Sequence, residues 1–178
     1  MALLSVWSRR VAGLAIVLAL AACSPTLNWR QVRPEGSGLV ALFPCKPTAE
    51  TRQVTLEGTP VALSMQMCQA GGLTWAVASA ELADPASVGP VLAALLAGQR
   101  SNLRASDPVA RAFSVRGMTP RPESQRVGLS GSFPDGRPVR QEMALFSRGA
   151  RIFQAMVMGE RIDAAAADNF FNNLQLPS

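Results

Sequence analysis

Hydrophobic and polar positions alternate along much of this chain, and the alternation predicts strands broken by two helical stretches. Leu39-Val40-Ala41-Leu42-Phe43 is a continuous apolar run stopped by Pro44, the pattern of a buried strand, and Trp29 and Val32 suggest a short strand before it. A three-strand meander follows. A two-residue turn at Gly58-Thr59 pairs Leu56 with Val61 and Val54 with Leu63, which puts both apolar sets on one face. A three-residue loop, Ala70-Gly71-Gly72, then pairs Met67 with Trp75 and Met65 with Val77, leaving Cys68 on the opposite face. Asp84-Pro85 opens a helix with a cap and a first-turn proline, and Gly89-Pro90 can delay its start. Val88, Val91, Leu92, Leu95, Leu96 and Leu103 form its apolar stripe.

The second half repeats this order. A strand is expected near Ala112–Val115, followed by a link containing Pro120 and Pro122. Val127, Leu129 and Phe133 alternate with polar residues up to the turn signal Pro134-Asp135-Gly136. A three-residue loop from Asp135 to Arg137 would pair Phe133 with Val139, Leu129 with Met143 and Val127 with Leu145. Arg148-Gly149 turns the chain into 152–158, which is apolar on both faces and therefore central. Asp163 caps a last helix whose Ala166, Phe170, Phe171 and Leu174 face inward before Pro177. The order βββ-α-βββ-α, with hairpins and no βαβ alternation, predicts an α+β domain: an antiparallel sheet with two helices segregated onto it. Together with Phe43-Pro44 and the Phe170-Phe171-Asn172-Asn173-Leu174 helix, this order resembles the PsbP-like α/β/α sandwich. The fragments from Leu42 to Pro47 and from Phe133 to Gly136 resemble uncharacterised proteobacterial lipoproteins.

The first residues change the picture most. Arg9-Arg10 precedes an apolar run from Val11 to Ala22, shorter than the ~20 residues a bilayer span requires. A charged stretch, an apolar stretch and small residues have the form of a secretory signal. Leu20-Ala21-Ala22-Cys23 resembles the lipobox of bacterial lipoproteins. That resemblance implies cleavage before Cys23, a diacylglycerol thioether on its sulfur and acylation of its new amine. Ser24, standing where such lipoproteins carry an Asp when retained at the inner membrane, implies the outer membrane, with the domain in the periplasm. Ser8-Arg9-Arg10 resembles a twin-arginine signal without its Phe and Lys, so general secretion is expected. The expected organisation is a signal over 1–22, a lipidated tether over 23–28 and one domain over 29–178; removal of the signal from the 178-residue chain leaves about 156 residues, ample for a single core.

Of three cysteines, Cys45 and Cys68 then remain, an even pair in an oxidising compartment. A disulfide is the expected state; two buried thiols or half of a metal site are the alternatives, and the latter is poor without His or C-x-x-C spacing.

Composition mainly excludes. The chain has no His and no Tyr, which removes imidazole ligands, Ser-His-Asp and Cys-His pairs and histidine acid/base chemistry. Its 17 basic residues against 12 acidic ones give +5, but Lys46 is the only lysine and the arginines are scattered, so nucleic acid is not an expected partner. Gly36-Ser37-Gly38 precedes a strand and lacks a third glycine, unlike a dinucleotide loop. Ser130 in Gly128-Leu129-Ser130-Gly131 superficially resembles a nucleophile elbow, with its second glycine one place early and no base. Carboxylates remain as acid/base candidates, namely Glu142, Glu160, Asp163 and Asp168, the two aspartates being explained by capping and solvation.

The expectation is therefore a non-catalytic, monomeric envelope lipoprotein, held on the membrane by lipid on Cys23, without cofactor or metal, binding an unidentified protein or other envelope component. The alternative is a carrier of a small hydrophobic ligand, with a pocket between sheet and helix lined by Met65, Met67, Met143 and Met156. An enzyme is a distant third.

Overall fold

The computed structural model describes residues 26–177, so the expected signal and Cys23 lie outside the described residues. Two short strands, β1 (Arg30–Val32) and β2 (Ala41–Phe43), pair into a ribbon. Three long strands follow, β3 (Thr48–Leu56), β4 (Thr59–Ala70) and β5 (Leu73–Glu81), then a 3-10 turn and helix α1 (Val88–Asn102). The second half has β6 (Val109–Arg111), β7 (Gln125–Ser132), β8 (Pro138–Arg148), β9 (Arg151–Gly159) and helix α2 (Ala164–Asn172). Strands β3 to β9 make one antiparallel sheet in the order β3-β4-β5-β9-β8-β7-β6. The class is α+β, as the hairpin-rich order predicts.

Strand β9 is the middle strand of seven, which its two-sided apolarity requires. On one sheet face α1 brings Val88, Val91 and Leu92 against Val127, Met143, Leu145 and Ile152. On the other, α2 and the ribbon enclose Trp75, Phe146, Phe153 and Val157 with Phe43, Phe170 and Phe171. The second core is aromatic: Trp75 meets Phe170 edge-on at 5.5 Å, Phe170 meets Phe43 at 5.5 Å, and Phe146 stacks on Phe153 at 4.9 Å. Helix, sheet and helix-plus-ribbon form three layers.

Tight turns set registers that differ from the sequence expectation. The first hairpin turns on Glu57-Gly58, with Leu56 opposite Thr59 and Val54 opposite Val61. Both turn residues have positive φ, 45° and 79°, as a two-residue turn matching strand twist requires. The shift from Gly58-Thr59 is two places along β4, so each apolar side chain keeps its face. The second turn is two residues, Gly71-Gly72, and places Cys68 opposite Trp75 and Met67 opposite Ala76. A one-residue change in register exchanges faces. Trp75 and Val77 therefore lie with Cys68 in the aromatic core, and Ala76 and Ala78 lie with the methionines. The third hairpin pairs Val127 with Met143 and Leu129 with Gln141, around a loop closed by Phe133 and Arg137. The strand expected near 112–115 is instead Val109–Arg111, at the edge of the sheet, and Phe113 and Val115 join the aromatic core from a loop.

The last helix starts as the sequence predicts, whereas Asp84 caps the 3-10 turn Pro85–Ser87 that precedes α1. Asp84 Oδ1 accepts from Ala86 N at 2.9 Å, and Asp163 Oδ1 accepts from Ala166 N at 2.8 Å. Helix α1 begins at Val88, and Pro90 is tolerated in its first turn because the missing N–H has no intrahelical acceptor there. Ala166 is half-buried, while Ala167, Phe170, Phe171 and Leu174 are buried. After α2 the chain bridges Val40 and Arg116 through Gln175, locking its end onto the ribbon.

Cys45 and Cys68 form a disulfide with Cα atoms 6.0 Å apart, joining the end of the ribbon to β4. Closing a loop of this size contributes ~3 kcal/mol in the chain-entropy account. Gly131 has a different role: a Cβ there would overlap the Leu103 carbonyl, which accepts from Ser132 N at 2.8 Å and ties the segment after α1 to β7.

Two stability measurements check this. Cys45→Ala/Cys68→Ala should lower the unfolding free energy by ~3 kcal/mol in denaturant titration while keeping the far-ultraviolet spectrum. Gly131→Ala should lower it by ~2 kcal/mol or more, because backbone must move to admit a methyl group.

Candidate functional site

The two faces of the sheet carry different chemistry. On the α1 face, Met67, Ala76, Met156 and Met143 stand directly opposite one another across β4, β5, β9 and β8. Met65 lies two positions along β4, opposite Ala78, and Met158 two positions along β9, opposite Thr74. The four methionines singled out in the sequence therefore share one surface. They are not equivalent. Met143 is fully buried, and its sulfur accepts from the side chains of Gln141 at 3.6 Å and Gln154 at 3.3 Å. Met65, Met67, Met156 and Met158 are half-buried. Flanked by small Ala76 and Ala78, they form a pliant apolar surface beside the α1 cluster, which buries Met143 and packs against Met156.

A groove of about 250 Å³ between helix and sheet is bordered by none of these four methionines. It lies between α1 and the β3–β4 turn, bordered by Leu56, Val91, Ala94 and Leu95.

The other face holds a charged cluster. Arg126 on β7 is 5% exposed in its side chain, and its Nη2 lies 2.5 Å from Glu142 Oε2 on β8 and 2.8 Å from Asp168 Oδ1 on α2. Its guanidinium also sits 4.3 Å over the Phe171 ring, and Arg111 Nη2 reaches Glu142 Oε1 at 3.4 Å. Alternation places Arg126 and Glu142 on the aromatic side, where an unpaired charge would be costly. The cluster thus ties β6, β7, β8 and α2 together. An open cleft of about 310 Å³ beside it is bordered by Arg111, Ser130, Arg140 and Ile162.

Of the four carboxylates considered from sequence, the structure joins Glu142 and Asp168 through one guanidinium. Asp163 caps α2. Glu160 borders a separate cleft with Thr74, Phe133 and Met158. Both Glu142 oxygens are held by arginines, an arrangement that anchors structure. Ser130 is exposed on β7, and its carbonyl accepts from Ser106 N. Arg126 escaped the sequence reading because a lone arginine in an alternating strand looks like a solvent-facing residue. Its only signal was Phe171 and Asp168 three apart on the facing helix.

The chain is thus a three-layer α+β domain with a disulfide-fastened aromatic side and a methionine side. No family model and no curated protein matches it. Among the described residues, no helix is long and apolar enough to cross a membrane.

A double-mutant cycle checks the role of the charged cluster. Arg126→Met should cost ~3 kcal/mol of unfolding free energy, because buried Glu142 loses its closer partner and keeps only half-exposed Arg111 at 3.4 Å. Arg126→Met/Glu142→Leu should recover most of that loss, because the uncompensated charge is gone.

Proposed function

We propose that the protein is a non-catalytic, lipid-anchored module of the cell envelope that holds another envelope protein against the methionine side of its sheet. The observation that carries this reading is the half-buried surface of Met65, Met67, Met156 and Met158 around Ala76 and Ala78. Flexible thioether side chains adapt to a partner's shape, and a cluster of half-buried apolar side chains beside a helix suits protein association.

The anchor rests on Leu20-Ala21-Ala22-Cys23. One acyl chain gives marginal binding at about 0.8 kcal/mol per buried CH₂, and two or more make it stable, so a triacylated Cys23 suffices without a protein span. Ser24 favours the periplasmic face of the outer membrane, and the Cys45–Cys68 disulfide suits an oxidising compartment. Geometry supports the same orientation. The described chain starts on the aromatic side, where Trp29 packs edge-on against Trp75 at 5.8 Å and Asn28 N donates to the Pro44 carbonyl. A tether leaving that side turns the methionine surface away from the membrane.

The groove at Leu56, Val91, Ala94 and Leu95 favours a second reading, a carrier of a small hydrophobic molecule.

Two experiments test these readings. Cys23→Ala should leave an uncleaved or mislocalised precursor, and wild-type protein should take up a metabolic acyl probe; absence of label contradicts the anchor. A photocrosslinking residue at Ala78 should capture a discrete envelope protein in intact cells, whereas one at exposed Ala93 on α1 should not. Crosslinking at neither position, with copurified lipid found by mass spectrometry, would instead support the carrier.

A further inference from the structure

The two edges of the sheet are built differently. Strand β6 closes one edge with three residues, and its Arg111 is drawn inward to Glu142. Strand β3 forms the other edge with nine residues, paired without interruption to β4 and exposed from Thr48 to Gln53. Soluble proteins blunt such an edge with proline, a bulge, a covering segment or charged side chains. Among the described residues β3 has no proline, no bulge and no covering segment. Its only charged residues are Glu50 and Arg52, of opposite sign and two positions apart.

We infer that β3 is a self-pairing edge: two copies of this chain join antiparallel about a two-fold axis at Thr51, continuing the sheet from one protomer into the next. The hydrogen-bond phase supports this register. Leu56 and Thr59 close a two-residue turn, so they form a hydrogen-bonded pair, and the type alternates along the strand. Thr51 and Ser64 are then a non-hydrogen-bonded pair, in keeping with the 3.1 Å contact between their hydroxyls. The backbone N–H and C=O groups of Ala49, Thr51 and Gln53 therefore point to the open edge. Centred at Thr51, the pairing sets Thr51 against its own copy and Ala49 against Gln53 of the second copy, making about six backbone hydrogen bonds. Glu50 then faces Arg52 of the second copy, and Arg52 faces its Glu50. Both fall in the closer, non-hydrogen-bonded positions, where opposite charges interact best.

An antiparallel pair has its two-fold axis perpendicular to the sheet. Both aromatic sides, with both chain starts, then face one way, and both methionine surfaces face the other. Two lipid tethers could reach one membrane, although the pairing itself rests on β3 alone. The sequence led us to expect a monomer; this edge gives a dimer.

Trapping tests the register. The full chain carrying Thr51→Cys, purified in detergent and treated with a mild oxidant, should give a covalent dimer well above the wild-type background, because paired Cα atoms ~5.5 Å apart suit a disulfide. Thr55→Cys, whose two copies would lie ~27 Å apart, should stay at background. Adding Glu50→Arg should lower trapping roughly tenfold, as two opposite-charge pairs become like-charge pairs. Glu50→Arg with Arg52→Glu should restore it. Equal trapping at Thr51 and Thr55, or no restoration by the exchange, overturns the proposal.

Discussion

The architecture depends on one constraint: the chain from Ile152 to Met158 is apolar on both faces and must be covered on both. Placed fourth of seven strands, β9 receives a neighbour on each side and a layer above and below. Burying each large apolar side chain contributes ~1.5–3 kcal/mol, so exposing either face of this strand would forfeit several such terms. Antiparallel hairpins then leave only two ways to supply the covering layers, the helix after the first meander and the helix after the second. The three layers follow from the composition of the last strand.

The two coverings differ in kind. Aromatic rings dominate the α2 side, interlocked edge to face, with the Cys45–Cys68 bridge and the Arg126 cluster at their borders. Such rings have few rotamers, and the bridge and ion pairs join elements far apart in sequence. The α1 side is aliphatic and sulfur-rich, and a single helix covers only part of it. Beyond the helix, methionines with three rotatable bonds shield small alanines. The rigid side is where the described chain begins, and the adaptable side is opposite. In the proposed function this division becomes a division of labour: one side tethers, the other binds.

Much of the fold was legible because alternation and capping act locally. Asp163 caps the helix it was expected to cap, Asp84 caps the 3-10 turn that leads into α1, and the β9 segment lies at the centre. The first and third hairpins slid by two residues without changing faces, since turn chemistry errs by whole steps when the apolar pattern holds parity. The Gly71-Gly72 turn was harder. One residue more or less in that loop reverses Trp75, and the sequence around it is apolar at both parities, so nothing local distinguished the two registers. The open edge was hidden for a related reason. Thr48 to Gln53 has no buried face, hence no alternation, and only pairing with β4 makes it a strand. The Arg126 cluster joins residues 16 and 42 positions apart, a proximity that only the assembled sheet and α2 create. The expected lipidation at Cys23, on which the proposed cellular role rests, comes from resemblance alone.

The claim that the methionine side of the sheet is a working surface has a direct measurement. Limited peroxide oxidation followed by peptide mass spectrometry reads each methionine separately in purified protein and in intact cells. Met65, Met67, Met156 and Met158 should oxidise in the purified protein while fully buried Met143 resists. In cells, where the proposed partner would cover them, the same four should be protected severalfold relative to Met118, which is half-buried on the aromatic side. Equal oxidation of the four in cells and in isolation would contradict the account.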